Sequence, residues 1–162
     1  MAAKPHQGSS GRSSVRAHQP SGLSEPLTIC LPLDYTAFCL LYRDAYLRYA
    51  QARLADAETS RTVVEMALGQ LALNWSAALS SCPAAVAWQL LGHLITLSSG
   101  QAAAVATGRE DIYRQLPAVQ ADAVILCHRL SLTPGQAAAL MGVEEPAVNS
   151  RLSAALRRLP AA

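Results

Sequence analysis

Between residues 131 and 143 the chain reads SLTPGQAAALMGV, and the order of small and polar residues there leaves few folds open. Thr133 offers a side-chain oxygen as an N-cap, Pro134 fits the first helical position, and Gln136 stands where a capping box needs its partner. Gly142 follows as a residue free to take positive φ and end the helix. Within this short helix Ala137, Leu140 and Met141 recur at helical spacing, and its alanines allow a close helix crossing. Upstream, LPAVQADAVILCHRL (116–130) sets Val119, Ala123, Leu126 and Leu130 on one helical face. Downstream, EEPAVNSRLSAALRRL (144–159) sets Val148, Leu152, Ala155 or Leu156, and Leu159 on an inner face. Its outer face shows Glu145, Asn149, Ser150, Ser153 and Arg157. A short helix, a glycine turn and a longer helix with a polar outer face make a helix-turn-helix. An interior αα-hairpin is the competing reading of the same pattern.

Ahead of this unit lie three stretches of helical period. Asp34 opens DYTAFCLLYRDAYLRYAQARL, where Phe38, Leu41, Tyr42, Ala45, Tyr49 and Ala52 form a wide apolar stripe. Asp56 can cap AETSRTVVEMALGQLALNW, whose stripe is Val64, Leu68, Leu71 and Trp75, widened by Val63 and Ala67. Pro83 starts the third helix, with Val86, Ala87, Trp88, Leu90, Leu91 and Leu94 on its apolar side. Three antiparallel helices of this length make a small bundle. The fold class expected is therefore all-α, two small helical domains with a tail and a tether. Residues 1–30 form a disordered tail, 31–97 the bundle, 98–108 a Ser/Gly/Ala-rich flexible linker, and 109–162 the helix-turn-helix domain.

Charge and composition narrow the function. The net charge is +2, and Lys4 is the only lysine beside 12 arginines. Residues 108–162 carry six arginines against five acids, and residues 31–107 four against five. Neither half has the strong positive field of a free-standing DNA binder, so DNA contact would need help from a partner. The tail has basic residues but no apolar segment after them, so it is not a signal peptide. The longest apolar run, 83–97, is too short to span a membrane and contains Gln89 and His93. A cytoplasmic protein without a membrane partner is expected. Cys30, Cys39, Cys82 and Cys127 are widely spaced and read as reduced, small core residues. Cys127-His128 has no second ligand pair at zinc spacing, so no metal site is assigned. No glycine-rich phosphate loop, nucleophile elbow or paired carboxylate stands out. The expectation is of no enzyme, no cofactor and no small-molecule substrate.

The sequence LPAVQADAVIL…LTPGQAAALMGVEEPAVNSRLSAALRRL resembles region 4 of bacterial RNA polymerase sigma factors, in the extracytoplasmic-function group of the sigma-70 family. The shared features are the Leu-Pro entry, the short helix ending before glycine, and a Val-x-Ser-Arg-Leu helix with an Arg-Arg-Leu tail. Residues 31–97 resemble a degenerate sigma region 2, through FCLLYRDAYLRYAQARLADAETSRTVVEMAL and AVAWQLLGHL. The family's aspartate and second acid are missing from Thr62-Val63-Val64-Glu65-Met66-Ala67-Leu68. Asn149 and Ser153-Ala154 stand where a lysine and a His-Arg pair are usual.

This resemblance implies binding to RNA polymerase core and to minus-35 promoter DNA, with an anti-sigma factor as a further candidate partner. Val63, Val64, Glu65 and Leu68 would face the polymerase clamp. Gln136, Glu145, Asn149, Ser150, Arg151, Arg157 and Arg158 would face the duplex. Asn149 suits a bidentate pair with adenine, and the arginines suit guanine or phosphate. Holding a melted strand needs a basic groove with exposed aromatics, and the third helix offers Gln89, His93 and Trp88 without an arginine. A degenerate sigma-like regulator, working through the apolar faces of the bundle without initiating transcription, is the alternative.

Overall fold

A computed structural model describes residues 31–102 and 111–159. The described residues form eight helices and no strand. They are α1 (Leu33–Leu54), α2 (Ala57–Leu73), α3 (Trp75–Leu79), α4 (Pro83–Ala102), α5 (Asp111–Gln115), α6 (Ala118–Val124, running on as a π turn over Ile125–Arg129), α7 (Pro134–Met141) and α8 (Glu145–Leu156). The tail expected over 1–30 and residues 103–108 of the expected linker lie outside the described residues. Residues 98–102 of that linker continue α4. No described helix is long and apolar enough to cross a membrane.

The first helix ends because Ala55 takes a left-handed conformation, φ 64°, with its N–H on the Gln51 carbonyl. Asp56 then caps α2 as its position suggested, accepting the Thr59 backbone N–H at 2.7 Å. Beyond α2, Asn74 breaks the helical run, and Trp75 begins the separate short helix α3. The α2 stripe is in the core: Val63, Val64, Ala67, Leu68, Leu71 and Trp75 are all buried. So are Ala87, Leu91, Leu94 and Ile95 of α4.

In α1 the expected face is inward except at Leu41: Tyr49 is in the core, and Phe38, Tyr42, Ala45 and Ala52 pack half-buried against it. Tyr35, Tyr46, Tyr49 and Ala50 are buried, whereas Leu41 is 71% exposed. The cause is that the N-terminal half of α1 is apolar nearly all round, so period alone could not choose the side. Tyrosine supplies the deciding term, since a buried ring needs a partner for its hydroxyl. Tyr35 donates to the Leu68 carbonyl at 2.8 Å and Tyr46 to the Leu140 carbonyl at 3.2 Å. Leu33, Leu40 and Leu41 are left outside.

The described residues of 31–97 and 109–162 share one core. The described residues, 31–102 and 111–159, fall in a single compact unit. Its main hydrophobic cluster runs from Tyr46 and Leu91 through Ile125 and Leu126 to Leu140 and Val148. A smaller cluster of Leu116, Ala121, Val124 and Ala155 ties α8 to α6. The seam between the halves is also polar. Tyr49 of α1 and Tyr113 of α5 both donate to Asp122 Oδ1 of α6, each at 2.6 Å. Arg53 Nη1 reaches the Tyr49 hydroxyl at 2.8 Å and Asp122 Oδ1 at 3.4 Å, and the guanidinium lies 4.0 Å from the Tyr113 ring centroid.

Candidate nucleic-acid interface

The α6–α7–α8 unit is assembled from short-range chemistry. Thr133 Oγ1 accepts the Gln136 N–H at 3.2 Å, and Gln136 Oε1 accepts the Thr133 N–H at 2.9 Å, completing the capping box. Ala137, Ala138, Leu140 and Met141 of α7 are buried. Gly142 ends the helix at φ 63°. A Cβ there would lie 2.2 Å from the backbone nitrogen of Ala85. Only glycine therefore lets the turn meet the start of α4.

The recognition-helix candidate is α8. Val148 and Ala155 are fully buried and Leu152 half-buried, while Leu156 is 58% exposed. Ala155, not Leu156, is thus the inward residue at that level. Asn149, Ser150, Ser153 and Arg157 are exposed and span about 100° of arc on the opposite side. That polar strip is the shape a helix presents to a major groove.

The upstream helix carries one displaced residue. Ala123 and Leu126 are buried as expected, but Val119 is 49% exposed. Helix α6 begins only at Ala118, after Pro117, so Val119 falls in its open first turn. Leu116 and Val124 fill the space instead. At the far end the Leu130 N–H bonds to the Ile125 carbonyl, the wider π spacing, and this turn rotates the chain toward Thr133.

Each of the expected DNA-facing residues can now be placed. Asn149, Ser150, Arg157 and Arg158 are exposed on or beside the α8 strip. Gln136 is exposed, but its carbonyl oxygen is engaged in the capping box. Arg151 is half-buried, with Nη1 3.9 Å from Met141 Sδ, so it fills the α7/α8 crevice and not the outer strip. Glu145 is exposed at the start of α8 and turns back: its Oε2 lies 3.0 Å from where a Cβ on Gly135 would stand. The carboxylate therefore covers the first turn of α7.

The polymerase-facing set is corrected more strongly. Val63, Val64 and Leu68 are buried against neighbouring helices and present no docking surface. Glu65 alone of that set reaches solvent, paired with Arg43 at 3.2 Å. Trp88 is half-buried and packs on Tyr49, ring centroids 4.5 Å apart, so it is not an open platform for a base. Gln89 and His93 are exposed. The cysteines depart from a core role: Cys82 is exposed, Cys39 and Cys127 are half-buried, and Cys30 lies outside the described residues. No group of metal-ligating side chains occurs among the described residues.

Sequence reasoning missed the residues that seat the bundle on the helix-turn-helix. These are Tyr46, Arg48, Arg53, Tyr113 and Asp122, which meet across up to 94 positions of chain. Periodicity within one helix carries no trace of such pairs. The only available signal was the presence of four tyrosines within α1 itself, more hydroxyls than one helix can satisfy.

A helix capped at Thr133, a glycine turn and a polar-faced helix seated on Val148 and Ala155 make a helix-turn-helix. Residues 110–159 match the family model of sigma-70, region 4. No curated protein and no solved structure matches the chain.

Proposed function

We propose that this protein is a sigma-factor-like, non-catalytic transcription initiation protein of the extracytoplasmic-function type, acting in the cytoplasm. It would bind RNA polymerase core and recognise minus-35 promoter duplex through α8. The observation that carries this reading is the exposed strip Asn149, Ser150, Ser153 and Arg157, on a helix anchored by Val148 and Ala155 in the segment that matches region 4. In it Asn149 reads a base edge, while Arg157 and Arg158 hold phosphate. Residues 108–162 carry little net charge, so polymerase supplies the remaining affinity.

The test is run-off transcription with purified core polymerase on a promoter library, with and without the protein. Defined new start sites support the reading. Arg157→Ala with Arg158→Ala should weaken promoter binding to a similar degree on different sequences. Unchanged binding in that variant removes the DNA-facing assignment.

Two observations favour the second reading, a degenerate sigma-like regulator acting by protein–protein contact. The bundle and the helix-turn-helix share one core, which opposes their sitting apart on two promoter elements. The bundle also exposes Leu33, Leu40 and Leu41 at 71% or more, on the side of α1 away from the core. A protein partner, an anti-sigma factor among the candidates, would cover them. Co-elution with core or with another protein, without any transcript, supports this second reading.

A further inference from the structure

We propose that Arg48 and Arg129 form a second phosphate contact, through which the N-terminal bundle lends a cation to the helix-turn-helix. This inference rests on α8 reading duplex DNA. Arg48 belongs to α1, yet its Nη2 donates to the Leu130 carbonyl at 3.0 Å, across 82 positions of chain. That carbonyl lies at the C-terminal end of the π turn, where a cation is electrostatically favoured. One guanidinium N–H is used there, and Arg48 remains exposed with further donors. Arg129 and His128 are exposed on the residues just before it. Two guanidinium groups thus lie on or against the segment 128–133, which leads directly into α7.

The location matters because of how a helix-turn-helix meets DNA. With the second helix in the major groove, the first crosses the sugar-phosphate backbone. The strand that passes the start of α7 therefore passes this segment. The start of α7 itself has little to offer an anion. Pro134 has no N–H, the Thr133 and Gln136 N–H groups are spent in the capping box, and the Glu145 carboxylate covers Gly135. A phosphate arriving there meets a negative charge first, and the cations able to hold it are Arg129 from α6 and Arg48 from α1. The acids around the corner are Asp44, one turn before Arg48 and exposed, together with Glu144 and Glu145. In this arrangement the packing of the two halves builds the DNA surface as well as the core.

The experiment uses the full chain bound to RNA polymerase core and a labelled duplex that the wild-type complex selects from a random pool. Affinity is measured by fluorescence anisotropy over a range of salt. Loss of one phosphate contact lowers affinity by about fivefold near physiological salt and makes the slope of log K against log salt shallower by about 1. Arg48→Ala should do both without changing the order in which sequences are preferred, and Arg48→Lys should keep most of the slope. Arg129→Ala, which leaves the α1 contact intact, should give the same loss. An unchanged slope in both Arg48→Ala and Arg129→Ala overturns the inference. If Arg157→Ala with Arg158→Ala weakens binding while these two do not, only the second contact falls. If the wild-type complex with core selects no duplex at all, both the contact and the α8 reading fall.

Discussion

Tyr49 donates to Asp122 at 2.6 Å, and with that bond α1 is fastened to α6 across the seam between the two halves of the fold. The carboxylate also receives Tyr113 at 2.6 Å and faces Arg53 at 3.4 Å. Both charged side chains are largely shielded, at 13% and 16% exposure. Burial, followed by the charge of Asp122, pushes the Tyr49 hydroxyl well above its ordinary value, so it stays a donor at any physiological pH. Tyr113 is pushed up as well, first by burial and then by Tyr49.

Removing the acceptor should therefore cost more than one bond. Asp122→Leu leaves Arg53 buried without its counter-charge and two hydroxyls without an acceptor. A loss of about 3 kcal/mol is expected in urea unfolding. Tyr49→Phe should cost only about 1 kcal/mol, because Tyr113 and Arg53 still satisfy the carboxylate. Equal losses in the two variants would show that the cluster is not coupled.

Ala55 and Gly142 both have left-handed φ, 64° and 63°, and should respond to exchange with opposite signs. Ala55→Gly removes the strain of a left-handed alanine at an exposed helix end and should raise stability by up to about 1 kcal/mol. Gly142→Ala adds that strain, at least about 1 kcal/mol, and drives a methyl into the α4 backbone at Ala85. Thermal melting of both variants decides it. A Gly142→Ala protein as stable as wild type would mean that the turn does not touch α4.

These two positions show what the sequence disclosed and where it stopped. Thr133, Pro134, Gln136 and Gly142 state their roles locally, since caps and left-handed turns depend on residues within one helical turn. The α2 stripe was equally legible, but its role was not. Val63, Val64 and Leu68 look the same whether they dock on a partner or pack on α1, and only the tertiary fold makes them core. Arg151 is a similar case: it sits in a polar stretch of α8, yet its guanidinium Nη1 lies 3.9 Å from Met141 Sδ. In α1 the leucines competed with tyrosines for the inside, and hydroxyl partners on α2 and α7 settled the contest.

Acid should loosen the entry to α2. The Thr59 side chain and backbone N–H hydrogen-bond the Asp56 carboxylate and hold its pKa below the ordinary value. Because the folded pKa is the lower one, the cap's stabilisation is full at neutral pH and is lost as pH falls through the folded value. Asp56→Ala should lower the melting temperature at pH 7 and converge with wild type below the carboxylate range. A difference that persists unchanged in acid would assign the effect to something other than the charged cap.

Glu145 was expected among the DNA-facing residues, and its geometry assigns it the opposite sign. Its Oε2 lies over Gly135, on the first turn of the helix that crosses the DNA backbone in this motif. A carboxylate there repels a phosphate that approaches the same place. Glu145→Gln keeps the shape of the side chain and removes the charge. The expected result is tighter duplex binding, by about threefold to tenfold at low salt, since relief of one close like-charge contact between well-solvated groups is worth about 1 kcal/mol. The gain should shrink as salt is raised, because only screened electrostatics are involved. Weaker binding in Glu145→Gln would instead mean that the carboxylate accepts from a base edge, as cytosine N4 can donate, and would put Glu145 in the groove beside Asn149.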